Sequence, residues 1–176
     1  MRVFLGKGII HLGWSKNLKD WQILEDNEVI IRAKRPKWYS SEIRFFFNGK
    51  TYQLKKKSVW KSTIGIFQGG QTIGSITYSF STGYQVNINN SKKIYSLSQV
   101  NKGGMWRVER EYTFNELGPK PIFKINYSKK NFGKEIIEIS KVDLDSSNYD
   151  LIMYGLKLMR LSQASEAAAA SPTFYG

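Results

Sequence analysis

Ser147-Asn148-Tyr149-Asp150-Leu151-Ile152-Met153-Tyr154-Gly155-Leu156-Lys157-Leu158-Met159-Arg160-Leu161 is the stretch on which the fold turns. Past Asp150 the run is apolar on every side as far as Leu156, and only Lys157 and Arg160 interrupt it, near its far end. A surface helix keeps a polar stripe, whereas a helix apolar all round must be buried all round. Packing on one face of a sheet would leave Ile152, Tyr154 or Leu156 in need of other cover. About 14 helical residues at about 1.5 Å each span about 21 Å, the height of a small barrel. Ser147 followed three positions later by Asp150 has the form of a capping box, with Asp in place of the usual Glu. Asp143, Asp145 and Asp150 place negative charge near the same N-terminus, where the helix dipole favours it.

Upstream the sequence has a different period. Segments of alternating polarity recur from about Trp21 to Val142. Trp21–Leu24 and Glu28–Lys34 flank Asp26-Asn27. Ile43–Phe47 and Thr51–Lys57 flank Asn48-Gly49, the strongest short hairpin signal. Thr63–Gln68 and Thr72–Phe80 flank Gly69-Gly70, and Gly83–Ile88 and Lys92–Leu97 flank Asn89-Asn90. Met105–Arg110, Glu111–Phe114, Ile122–Tyr127 and Lys134–Val142 complete the series. Tyr84, Val86 and Ile88 share one face, as do Phe123, Ile125 and Tyr127. One buried and one wet face marks an antiparallel meander. Turn signals spaced about 8–12 residues apart fit a sandwich or a barrel.

About twelve short strands followed by one wholly apolar C-terminal helix resemble the tubby C-terminal-like architecture. That group holds the tubby, phospholipid scramblase and LURP-one-related domains, and the layout here is closest to the last. The resemblance spans about residue 2 to Leu161, with Tyr149–Leu161 as its main support. It implies an antiparallel barrel of about twelve strands enclosing the hydrophobic helix. Residues 1–162 would form that single domain, and 163–176 a flexible tail. Tubby domains bind phosphoinositides through basic side chains on the barrel, which implies an anionic lipid ligand here. Many LURP-one-like members have no established activity, and no calcium site of the scramblase kind is evident.

Composition sets the remaining limits. The chain has 176 residues, no Cys and one His, so thiolate zinc sites, disulfides and multi-histidine metal centres are excluded. Lys and Arg number 27 against 14 acids, a net charge of +13. Such an excess points to an anionic partner: a membrane surface, a phosphorylated ligand or nucleic acid. Residues 1–60 hold 13 basic residues against 5 acidic ones, a balance of +8. The densest cluster is Arg32, Lys34, Arg35, Lys37, Lys55, Lys56, Lys57 and Lys61, with Trp38, Tyr39 and Trp60 among them. If the two hairpins are neighbours, these residues form one patch that holds phosphates. Its aromatics would stack on bases or sit at a lipid interface. A solvated barrel exterior with snorkelling lysines is the plainer reading of the same residues.

No catalytic constellation stands out. His11 has no nucleophile-elbow sequence beside it. Glu109 and Glu111 alternate with Arg107 and Arg110, which favours surface ion pairs over acid–base work. Asp143-Leu144-Asp145 starts like a calcium loop, but Asn148 and Tyr154 stand where Gly and Glu are needed. Gly69-Gly70 and Gly103-Gly104 lack the Lys-Ser or Lys-Thr of a phosphate loop and read as turns. The expectation is a non-catalytic binding module for anionic headgroups, without cofactor or metal. Its expected place is the cytoplasm, peripheral at the membrane, because no long apolar run or export signal is seen. The alternative is a nucleic-acid-binding barrel. A lumen ligand is disfavoured, since the helix would fill the lumen.

Overall fold

The computed structural model describes residues 9–14, 20–37, 41–58, 63–89, 91–103, 107–117, 120–130 and 135–170. Among them the strands are β1 (Ile9–Trp14), β2 (Asp20–Glu25), β3 (Glu28–Lys34), β4 (Ile43–Phe47), β5 (Lys50–Lys56) and β6 (Ile64–Gln68). The series continues with β7 (Gln71–Ser79), β8 (Gly83–Ile88), β9 (Lys93–Asn101), β10 (Arg107–Glu116), β11 (Lys120–Lys130) and β12 (Glu135–Lys141). One helix, α1 (Asp150–Ala170), follows a 3₁₀ turn at Ser146–Asn148. Each strand pairs antiparallel with the next. β1 also pairs with β12 through Ile10↔Ile139, which closes the ring. The expected barrel is therefore present, and closure leaves no sheet edge for another chain to pair with.

The alternation reads directly as inside and outside. Ile43, Phe45 and Phe47 of β4 are buried, while Arg44 and Phe46 between them are exposed. Phe123, Ile125 and Tyr127 of β11 likewise point inward. The tight turns follow from chemistry. Asp26 and Asn27 have φ of 49° and 69°, and Asn48 and Gly49 have 46° and 70°. Left-handed conformations at both central residues match the right-handed twist of the flanking strands, and Asn, Asp and Gly tolerate them best.

α1 runs through the middle of the ring. Leu151 to Met159 are nine consecutive buried residues. The Tyr154 ring meets Phe45 of β4 edge-on at 6.3 Å, and Arg160 lies 5.9 Å over the Tyr127 ring of β11. A Cβ on Gly155 would come within 2.6 Å of Phe123 on β11 and 3.2 Å of Phe114 on β10. Contacts from such separated strands require a helix surrounded by sheet. Each buried Leu, Ile or Met in that run contributes about 1.5–3 kcal/mol of apolar transfer.

Three local expectations change. Ser147 does not cap α1; Asp145 accepts from the Ser147 backbone N–H at 2.8 Å and caps the 3₁₀ turn, and α1 starts at Asp150. Met105–Arg110 and Glu111–Phe114 are not two strands. The described part forms the single strand β10, whose Arg110 follows the inward row of Tyr112 and Phe114. The twelfth strand is β1, in the segment that shows no clean alternation. The helix also continues through residues expected to be a flexible tail, as far as Ala170. Glu166 pairs with Arg110 at 2.6 Å and accepts from Gln99 at 3.0 Å, and Ser165 bonds Tyr84 at 3.1 Å. Residues 171–176 lie outside the described residues.

Candidate functional site

Connections in an up-and-down ring alternate between its two ends. The turns at Asp26-Asn27, Asn48-Gly49 and Gly69-Gly70 share one end, which we call the base. The β3–β4, β5–β6 and β7–β8 connections share the other, the mouth. α1 enters at the base, where Tyr149 donates to Glu25 at 2.6 Å and accepts from Lys141 at 2.6 Å. Lys141 also pairs with Glu25. Burial opposes the charged Glu25 carboxylate, yet the hydrogen bonds from Lys141 and Tyr149 hold it below its usual range. α1 leaves at the mouth, where Arg160 pairs with Glu135 at 2.5 Å.

The two ends differ in charge. Glu25, Asp26, Glu28, Glu116, Asp143, Asp145 and Asp150 all sit at the base. Most of the densest basic cluster lies at or near the mouth, and the structure splits it into two sets. Arg35 continues the inward row of Ile31 and Ala33, and Lys56 continues that of Tyr52 and Leu54. Both therefore border the lumen. Arg32, Lys34 and Lys55 fall on the outward rows of β3 and β5, and Lys57, just past the end of β5, continues the row of Lys55. Lys37 lies exposed in the β3–β4 connection. Lys61, Trp38, Tyr39 and Trp60 lie outside the described residues. His11 sits in β1 opposite Glu138 and Leu24; its side chain is likewise outside them.

β4 joins the outward set. Arg44 lies between Lys34 of β3 and Gln53 of β5 in register. Lys55 stands 4.8 Å over the Phe67 ring, and both line an open groove of about 540 Å³ with Arg44 and Gln53. Glu42 accepts from Arg44 at 2.7 Å and from Gln53 at 2.5 Å. Burial raises the Glu42 pKa, but those two hydrogen bonds outweigh it and hold the carboxyl below its usual range.

The inward set has a member that charge clustering does not show. Lys157 of α1 is 8% exposed, and its amine donates to the Ser41 carbonyl at 2.9 Å. Burial, then the nearby Arg35 and Lys56 charges, push its pKa down to about 8. A cavity of about 20 Å³ beside it is lined by Arg35, Lys157 and Arg160 over Trp21, Ile43 and Leu156. In the sequence Lys157 is visible only as a charge inside an apolar helix.

The mouth also presents an aromatic tip. Phe80, at the β7–β8 connection, is 99% exposed, with Tyr78 packed against it at 5.6 Å. Tyr84 of β8 packs on Tyr78 at 4.9 Å. The Glu109–Glu111 segment resolves as ion pairing, though with other partners than expected. Glu111 pairs with Lys102 at 2.5 Å and Lys124 at 3.0 Å, and those bonds hold its carboxyl below the usual range.

No family model, curated protein or solved structure matches this chain.

Proposed function

We propose that the protein is a non-catalytic, tubby-like barrel that docks on anionic lipid headgroups through its mouth. One observation supports this reading above the others: Arg35, Lys56, Lys57 and the wholly exposed Phe80 share one end of the barrel. Each Lys or Arg near an anionic leaflet contributes about 1 kcal/mol. An exposed Phe adds about 1.5–3 kcal/mol if it is buried among acyl chains. The base carries Lys50, Lys92 and Lys93 as well, but Glu25, Asp26, Glu28, Glu116 and Asp143 stand beside them, and an anionic leaflet repels those acids. No described helix is long and apolar enough to cross a membrane, so attachment would be peripheral and reversible. Arg32, Lys34, Arg44 and Lys55 extend the positive surface down the outer wall. In the same proposal the cell compartment is the cytoplasm, facing the anionic leaflet.

The test is liposome flotation with and without phosphatidylserine and phosphoinositides, beside DNA and RNA shift assays at the same salt. Anionic vesicles should bind and neutral ones should not. The Lys55→Ser, Lys56→Ser, Lys57→Ser triple variant should bind about 10- to 100-fold more weakly, with stability within about 1 kcal/mol of the parent. Tighter binding to nucleic acid than to vesicles would replace this reading with the alternative one. Unchanged vesicle affinity in the triple variant would remove these lysines from the site.

A further inference from the structure

Lys157 is held in a place where a lysine is expensive. It lies within the apolar run of α1 that fills the lumen and is only 8% exposed.

 Burying a charge without a compensating partner costs several kcal/mol in real proteins. Among the described residues no carboxylate pairs with Lys157; its one hydrogen bond goes to the Ser41 carbonyl. An ammonium carries three donors, so two remain to be satisfied. The charges that face it are Arg35 and Lys56, both positive. Arg160, one turn on, is already committed to Glu135 and Gln163.

We infer that Lys157, with Arg35 and Lys56, forms a binding site for a phosphate monoester, seated where α1 leaves the barrel. The site deepens the headgroup reading and rests on it for the orientation of the mouth. Its dimensions set the ligand. A cavity of about 20 Å³ admits one oxygen, not a whole headgroup. One terminal oxygen would reach Lys157, leaving the others at the rim for the Arg35 fork and Lys56. A tetrahedral anion with several terminal oxygens suits donors held at different depths. The apolar wall of Trp21, Ile43 and Leu156 strengthens each charge contact by excluding water.

A phosphate monoester could be free or carried by a lipid, and the experiment separates the two. Thermal unfolding is followed with inorganic phosphate at constant ionic strength, chloride serving as the balancing anion. The wild-type melting temperature should rise saturably, by about 5 °C or more at 100-fold excess over the dissociation constant. Lys157→Met should melt higher than wild type without phosphate and should no longer respond to it. An equal response in Lys157→Met, an equal effect of chloride, or no response in wild type would overturn the site. If that variant does not fold, amine labelling of Lys157 in the wild-type protein gives the answer. Phosphate should slow the labelling, and an unchanged rate would overturn the site.

Vesicles containing phosphatidic acid form the second arm. Competition between these vesicles and inorganic phosphate supports the site with a lipid source. A phosphate response without vesicle binding supports the site with a free source and overturns the headgroup reading. Vesicle binding lost in the Lys55/Lys56/Lys57 variant but unchanged in Lys157→Met upholds the headgroup reading and overturns the site.

Discussion

Lys157 couples stability to pH with an uncommon sign. Its pKa in the fold is about 8, below the ordinary 10.5. Below pH 8 both states are protonated, and the folded state bears the full cost of the buried charge. Between about pH 8 and pH 10.5 the unfolded chain keeps a proton that the folded chain has released, so stability rises with pH. The rise amounts to about 3 kcal/mol. The groups facing the amine are Arg35, Lys56 and the Ser41 carbonyl, with Arg160 and its partner Glu135 beyond. Urea unfolding of wild type and Lys157→Met at pH 7 and pH 10 should show the variant's advantage shrinking at the higher pH. A constant difference would mean that the amine titrates normally. Gly155 tests packing at the same scale. Alanine there gains about 1 kcal/mol of helix propensity. Its methyl must displace the Phe123 ring, itself stacked at 4.7 Å on Phe114. Overpacking of that kind costs about 1–3 kcal/mol, so Gly155→Ala should be destabilised in urea unfolding despite its better propensity.

Among the elements, α1 is the one most fully legible in the sequence. Its unbroken apolar surface demands burial all round, and Leu151 to Met159 are all buried. Leu156→Asp should therefore lose more than about 4 kcal/mol, because it places an unpaired charge in the lumen. A near-normal melting curve by circular dichroism would contradict the central place of the helix. The helix ends were less legible. Asp145, not Ser147, supplies the cap, because a 3₁₀ turn intervenes before the first α-helical residue. Residues 163–170 look like a weakly anchored alanine tract, yet Ser165 and Glu166 bond to Tyr84, Gln99 and Arg110 across the mouth. β10 reads as two pieces because Arg-Val-Glu-Arg-Glu hides its period. Arg110 occupies an inward position and is neutralised by Glu166, from 56 residues downstream. Long-range pairing of that kind leaves no local sequence signal.

At the scale of the whole molecule, charge is separated along the barrel. Acids stand at both ends, Glu25, Asp26 and Glu28 at the base and Asp20, Glu42 and Glu135 at the mouth, but the inward cations Arg35, Lys56 and Lys157 gather at the mouth, so in this proposal a membrane-bound barrel would orient mouth-down. Two consequences can be measured. Vesicle binding should weaken steeply as salt rises, since exposed charges are screened within about 8 Å at physiological ionic strength. Replacing the base lysines Lys50, Lys92 and Lys93 by Ser should leave vesicle affinity unchanged, although it removes as much charge as the Lys55/Lys56/Lys57 variant. Equal losses from both variants would show attraction by net charge alone, without a preferred end. The sequence by itself determined a run of antiparallel strands and a helix that must be buried all round, because period-two strands with Asn-Gly-type turns fit a sandwich or a barrel and an all-apolar helix needs cover on every side; the pairing of β1 with β12 decided that the sheet closes. It also determined the excess of positive charge and the absence of cysteine chemistry. Only the tertiary structure decided which cations meet. Residue parity places Arg35 and Lys56 on inward rows and Lys55 and Lys57 on outward ones, while the helix inside the barrel brings Lys157 beside both inward residues, which lie 122 and 101 positions before it in the chain. Charge clustering along a sequence records neighbours in the chain; a barrel sorts the same residues by face and by end.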